Sequence, residues 1–99
     1  MKSNPEYRWD SKHILVVEDD ELLRDLLVRK LSGAGYDIES CIDAPSALMS
    51  LEREKPDIIL LDLILPGIDG FHVLEKVREE EGLKDIPILI LSNLGQQED

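Results

Sequence analysis

Cysteine is nearly missing from this chain. Cys41 stands alone among 99 residues, so no intramolecular disulfide can form, and a reducing cytosol is the expected compartment. No run of 18 apolar residues occurs, which excludes a membrane-spanning helix. The first twelve residues, Met1 to Lys12, lack an apolar core segment and so do not read as a secretory signal. Basic residues are scarce, 11 against 22 acids, for a net charge of −11. That balance argues against a nucleic-acid surface. Internal repeats and low-complexity tracts are absent as well. The acid excess has two readings: a solvated surface, or carboxylates gathered around a cation.

With 42% hydrophobic and 33% charged residues, the chain suits one small globular domain. Residues 1–12 show no periodicity and read as a flexible lead-in; Tyr7 and Trp9 carry no motif there. His13-Ile14-Leu15-Val16-Val17 reads as a first strand. It runs into Glu18-Asp19-Asp20-Glu21, four acids in succession. Such charges repel unless solvated, or neutralised by a cation or a helix N-terminus. Leu22, Leu23, Leu26, Leu27, Val28 and Leu31 then recur at helical spacing. Asp20 suits the N-cap of that helix, and Gly33-Ala34-Gly35 ends it.

Tyr36 to Cys41 alternates apolar and polar residues, as an edge strand does. Pro45 opens a second helix with Ala47, Leu48 and Leu51 inward, and Glu54-Lys55-Pro56-Asp57 stops it. Ile58 to Leu61 form an apolar run reaching Asp62, and the segment breaks at Pro66-Gly67. This is a strand buried on both faces. A third helix presents Phe71, Val73, Leu74 and Val77, and Gly82 breaks it. Asp85 to Ser92 is a further apolar strand.

Strands alternating with helices predict an α/β fold with a parallel sheet. The two-faced apolar strands belong in the middle and the alternating second strand at an edge, giving the order 2-1-3-4. A doubly wound sheet of that order opens a crevice at the carboxyl ends of its first and third strands. Glu18, Asp19 and Asp62 stand at those ends, with Ser92 at the end of the fourth. Asp62 taken alone is either a reactive carboxylate or a capping residue for the turn after it. Glu18 and Asp19 alone could simply start a helix. Together the three carboxylates can converge on one point. Hard oxygen ligands favour Mg²⁺ or Mn²⁺ over Zn²⁺. His13 lies at the opposite end of its strand, and His72 lies in the third helix.

From His13 onward the chain resembles the receiver domain of bacterial two-component response regulators. The residues that carry the resemblance are Ile14-Leu15-Val16-Val17-Glu18-Asp19-Asp20, the spacing Asp62-x-x-x-Pro66-x-x-x-Gly70 after a buried strand, and Ile88-Leu89-Ile90-Leu91-Ser92. The resemblance implies a flavodoxin-like doubly wound sheet in a partial receiver domain spanning 13–99. It implies that Asp62 accepts a phosphoryl group from a histidine kinase or phosphotransfer protein. Glu18, Asp19, Asp62 and the backbone carbonyl of Ile64 would hold Mg²⁺ or Mn²⁺. Ser92 would bond the phosphoryl oxygens, and Pro66 and Gly70 would shape the loop. Such a domain catalyses at most its own phosphorylation and dephosphorylation, and is not otherwise an enzyme.

Two departures qualify the resemblance. The family has five strands and a lysine at the end of the fifth, whereas this sequence stops at Asp99, soon after the fourth. It therefore reads as truncated, without the fifth strand and last two helices. The competing reading is a catalytically incompetent fragment that serves as a binding or self-association module. An apolar strand from Ile86 to Leu91 with nothing to cover its outer edge is expected to self-associate. A phosphatase that uses an aspartate after a strand fits poorly, because it needs a second acid where Ile64 stands.

Overall fold

The computed structural model describes residues 12–63 and 70–91. Its order of elements is β1 (His13–Val17), α1 (Glu21–Gly33), β2 (Asp37–Cys41), α2 (Ala44–Arg53), β3 (Ile58–Asp62), α3 (Gly70–Glu79) and β4 (Ile88–Leu91). The four strands form one parallel sheet in the order β2-β1-β3-β4. This matches the order expected from strand hydrophobicity. The lead-in, the Pro66-Gly67 break, Ile64 and Ser92 fall outside the described residues.

Every residue of β1 is buried, as are Ile59 to Asp62 of β3. Both strands therefore contribute to two cores. Leu15, Val17, Ile59 and Leu61 point to one face, where they meet Ala47 and Leu51 of α2 and Val73 and Val77 of α3. Ile14, Val16 and Leu60 point to the other, where Leu27 and Leu31 of α1 pack. The second core is the thinner one. No residue of α1 is buried. Leu22 is 82% exposed and Leu26 is 52% exposed, so the regular leucine spacing of this helix overstates what it buries. An open concavity of about 520 Å³ adjoins the same core, between Leu31 and Tyr36 on one side and Pro87 and Leu89 on the other. Phe71, expected on the inner face of α3, is exposed instead. Val73 and Val77, four residues apart, fill that face.

The helix ends follow from local chemistry. The Asp20 carboxylate accepts the amides of Leu22 and Leu23 at 3.0 and 3.2 Å. Asp43 caps α2 by accepting the Ser46 amide at 3.0 Å, and Pro45 sits in its first turn. After α1, Gly35 takes a φ of 101°, which costs a glycine little. β4 is shorter than the apolar run suggested. Pro87 has no amide to give a ladder, and Ile86 packs into the core ahead of the strand.

At the amino ends of the strands, β1 and β3 grip each other in both directions. The His13 amide donates to the Asp57 carboxylate, and the Asp57 amide donates to the His13 carbonyl, each at 2.7 Å.

Candidate functional site

β1 and β3 lie side by side with Val17 opposite Leu61. The next residue along each strand is an acid, so the register brings Glu18 to Asp62. One carboxylate oxygen from each of Glu18, Asp19 and Asp62 lies within 4.8 Å of the others. Glu18 and Asp62 are wholly buried, while Asp19 faces solvent. The three acids named from sequence are thus brought to one point in the crevice. Ser92 and the Ile64 carbonyl lie outside the described residues.

Burial of a carboxylate needs compensation, and for Glu18 among the described residues it is partial. The Asp20 amide donates to Oε2 of Glu18 at 3.0 Å. Oε1 of Glu18 has no hydrogen-bond donor among the described residues. Its neighbour is the Asp62 carboxyl, also an acceptor, so the two can bond only by sharing a proton. The Glu18 carboxyl is accordingly pushed up to about 7, chiefly by burial and, after that, by the charge and hydrogen bond of Asp62, against the opposing pull of the Asp20 amide. An orphaned buried oxygen among three hard donors suits a hard divalent cation, with water or backbone carbonyls completing its shell. Among the described residues, no histidine or cysteine, which would direct the site toward softer ions, takes part in the cluster.

Three further contacts brace this corner. The Glu18 amide donates to the Cys41 carbonyl at 3.0 Å, tying the site to β2. The Arg24 guanidinium donates to the Glu18 carbonyl at 3.0 Å. The Gly70 amide donates to the Leu63 carbonyl at 2.9 Å, holding the start of α3 beneath Asp62. Arg24 escaped the sequence reading because a cation in the first turns of a helix looks like an ordinary solvated residue.

A cluster of acids at the carboxyl ends of β1 and β3 in a 2-1-3-4 sheet has close counterparts. The chain is 41% identical over 86 residues to the DNA-binding dual master transcriptional regulator RpaA of Synechocystis sp., covering 87% of this chain and 36% of that protein. It is 39% identical over 89 residues to the response regulator PleD of Caulobacter vibrioides, covering 90% of this chain and 20% of that one. The chain thus spans about a third or less of these relatives' lengths. Among solved structures, the non-phosphorylated HemR receiver domain from Leptospira biflexa superposes with a TM-score of 0.76 at 34% identity, covering 83% of this chain and 64% of that one. The phosphorylated cyanobacterial phytochrome response regulator RcpA gives 0.76 at 33% identity, covering 83% and 65%. The response regulator receiver domain family matches residues 14–99. A match of that extent over a fold of this order settles the family: the chain belongs to the response regulator receiver domains of two-component signalling.

Proposed function

We propose that this receiver is a divalent-cation-dependent phosphoacceptor, with Asp62 as the residue that takes the phosphoryl group. The observation that carries the reading is the Glu18–Asp19–Asp62 cluster, with Glu18 and Asp62 buried and a Glu18 oxygen that has no donor among the described residues. The donor is a phosphohistidine on a histidine kinase or phosphotransfer protein, or a small acyl phosphate. An Asp62 oxygen forms the new P–O bond while the bond from phosphorus to the donor breaks. Glu18, Asp19 and Asp62 would hold Mg²⁺ or Mn²⁺, with the Ile64 carbonyl as a further ligand. When bound, that ion supplies charge neutralisation at the phosphoryl oxygens. Asp62 supplies the nucleophile. Glu18 and Asp19 would hold the ion beside it, and the Ser92 hydroxyl is assigned to the phosphoryl oxygens. The domain takes in residues 13–99 and works in the cytoplasm. No helix among the described residues is long and apolar enough to cross a membrane.

Acetyl phosphate with Mg²⁺ should add the mass of one phosphoryl group, and Asp62→Asn should abolish it. An unmodified protein under conditions that label a related receiver would refute the assignment. The clustering of all three acids favours this reading over that of a docking fragment without chemistry.

The edge strand carries a second proposal. On β4, Leu89 is 56% exposed and Ile90 is 40% exposed. Among the described residues only β3 pairs with it. We assign the outer edge of β4 to pairing with the same edge of a second copy of the chain. Light scattering should give a mass that rises with concentration, and a monomer mass throughout would refute the pairing.

A further inference from the structure

We propose that His13, Asp37 and Glu54 form a second cation site, suited to Zn²⁺, at the end of the sheet opposite the acid crevice. One histidine nitrogen and one oxygen from each carboxylate lie within 4.8 Å of one another. The site stands at the start of β1, the start of β2 and the C-cap of α2. Five steps along the chain separate His13 from Glu18, roughly 16 Å at strand rise.

The histidine makes this more than a patch of acids. Its side chain is 9% exposed, and neither ring nitrogen has a hydrogen-bond partner among the described residues. A buried imidazole with both nitrogens unbonded is costly. Yet it is surrounded by groups that would welcome a cation. Nδ1 faces the Asp37 carboxylate at 3.4 Å, and Nε2 faces Glu54 at 3.8 Å and Glu39 at 3.9 Å. Two of these separations are too long for hydrogen bonds and the third is at the margin. An ion on Nδ1 would have the Asp37 oxygen at ligand-to-ligand distance, with Glu54 closing on it from within 4.8 Å and Nε2 left to face Glu39. Tetrahedral zinc with bonds near 2.1 Å sets its ligands about 3.4 Å apart.

The donor set decides which ion. One imidazole with two carboxylates favours a borderline transition ion, whereas the all-oxygen crevice favours Mg²⁺. The imidazole gives one nitrogen to the ion, and the other donates to a carboxylate, which fixes the ring. Glu39 is placed for that role. It is already paired with Arg53 and the Ser50 hydroxyl, which outweigh its burial and keep its carboxyl below the ordinary range. Asp37 and Glu54 are more than half exposed, so they can close on an ion arriving from solvent. Water would complete the shell.

The test is a Zn²⁺ titration of the full chain in excess Mg²⁺, which occupies the crevice. One equivalent of Zn²⁺ should shift the His13 ring resonances, leave those of His72 in place and raise the melting temperature. Glu54→Gln, at an exposed helix end, should keep the fold and weaken Zn²⁺ binding at least tenfold. Asp37→Asn should do the same, and His13→Gln should remove the site if it folds. Shifts confined to His72 would overturn the proposal. So would unchanged affinity in both carboxylate variants, or His13 resonances that respond to pH but not to Zn²⁺.

Discussion

Replacing Gly70 by alanine tests how tightly the start of α3 supports the acceptor. A methyl group at Gly70 would lie 2.3 Å from the Asp62 carbonyl oxygen and 2.6 Å from the Leu63 Cα. Ordinary contact needs about 1 Å more, and both obstacles are backbone, so no side-chain rotation can relieve the clash. Overpacking of this kind costs about 1–3 kcal/mol. The helix propensity gained by alanine is at most about 1 kcal/mol. At about 4–8 °C per kcal/mol for a domain of this size, the melting temperature should fall by roughly 5–15 °C. Gly33→Ala and Gly82→Ala, where a methyl meets nothing within 4 Å among the described residues, serve as controls and should be neutral or mildly stabilising. Thermal unfolding by circular dichroism reads all three. The second readout is phosphorylation well below the melting point. An Asp62 backbone displaced by about 1 Å should slow acetyl phosphate labelling by up to about 100-fold. If Gly70→Ala melts with the controls and labels at the wild-type rate, the close approach of α3 to Asp62 is wrong.

Asp62→Asn relieves repulsion in the crevice, so in metal-free buffer it should stabilise the fold by on the order of 1 kcal/mol, read by urea denaturation. Millimolar Mg²⁺ should stabilise the wild type by about 1–2 kcal/mol, EDTA should reverse this, and the variant should show neither response. Asp20→Ala removes the acceptor for two amides and should cost about 1 kcal/mol; no change in the urea midpoint would mean the cap is dispensable. Burial, and then the charges of Glu39 and Asp43, push the Cys41 thiol up to about 11 from 9.0. Its stabilising contribution is therefore complete below pH 9 and lost as pH rises through about 11. At pH 8, iodoacetamide should modify the folded chain at least about 100-fold more slowly than the chain in urea, and equal rates would contradict the burial.

Strand order and the acid cluster were legible because two-faced burial leaves a plain mark on β1 and β3. Their apolar runs allow few other positions, and the acids after Val17 and Leu61 had to meet. What helical spacing cannot show is whether anything covers a face. Leu22, Leu26 and Phe71 follow the period and still meet solvent. The surroundings of His13 were illegible for a related reason. Nothing local in the sequence says that Glu54, forty-one positions later, returns beneath the start of β1. Arg24 became visible only as a hydrogen-bond donor to the Glu18 carbonyl.

The reciprocal grip between His13 and Asp57 has a consequence at the far end of the sheet. Parallel strands have no hairpin to set their alignment, so something else must act as the zero mark. Two short hydrogen bonds at the start of β1 and β3 serve as that mark. A slip of one residue would turn Asp62 to the opposite face, away from Glu18. A slip of two would keep the face and carry Asp62 about 6.6 Å along the strand, outside the reach of a shared ion. The crevice is thus aligned from the end of the sheet that contains none of its ligands.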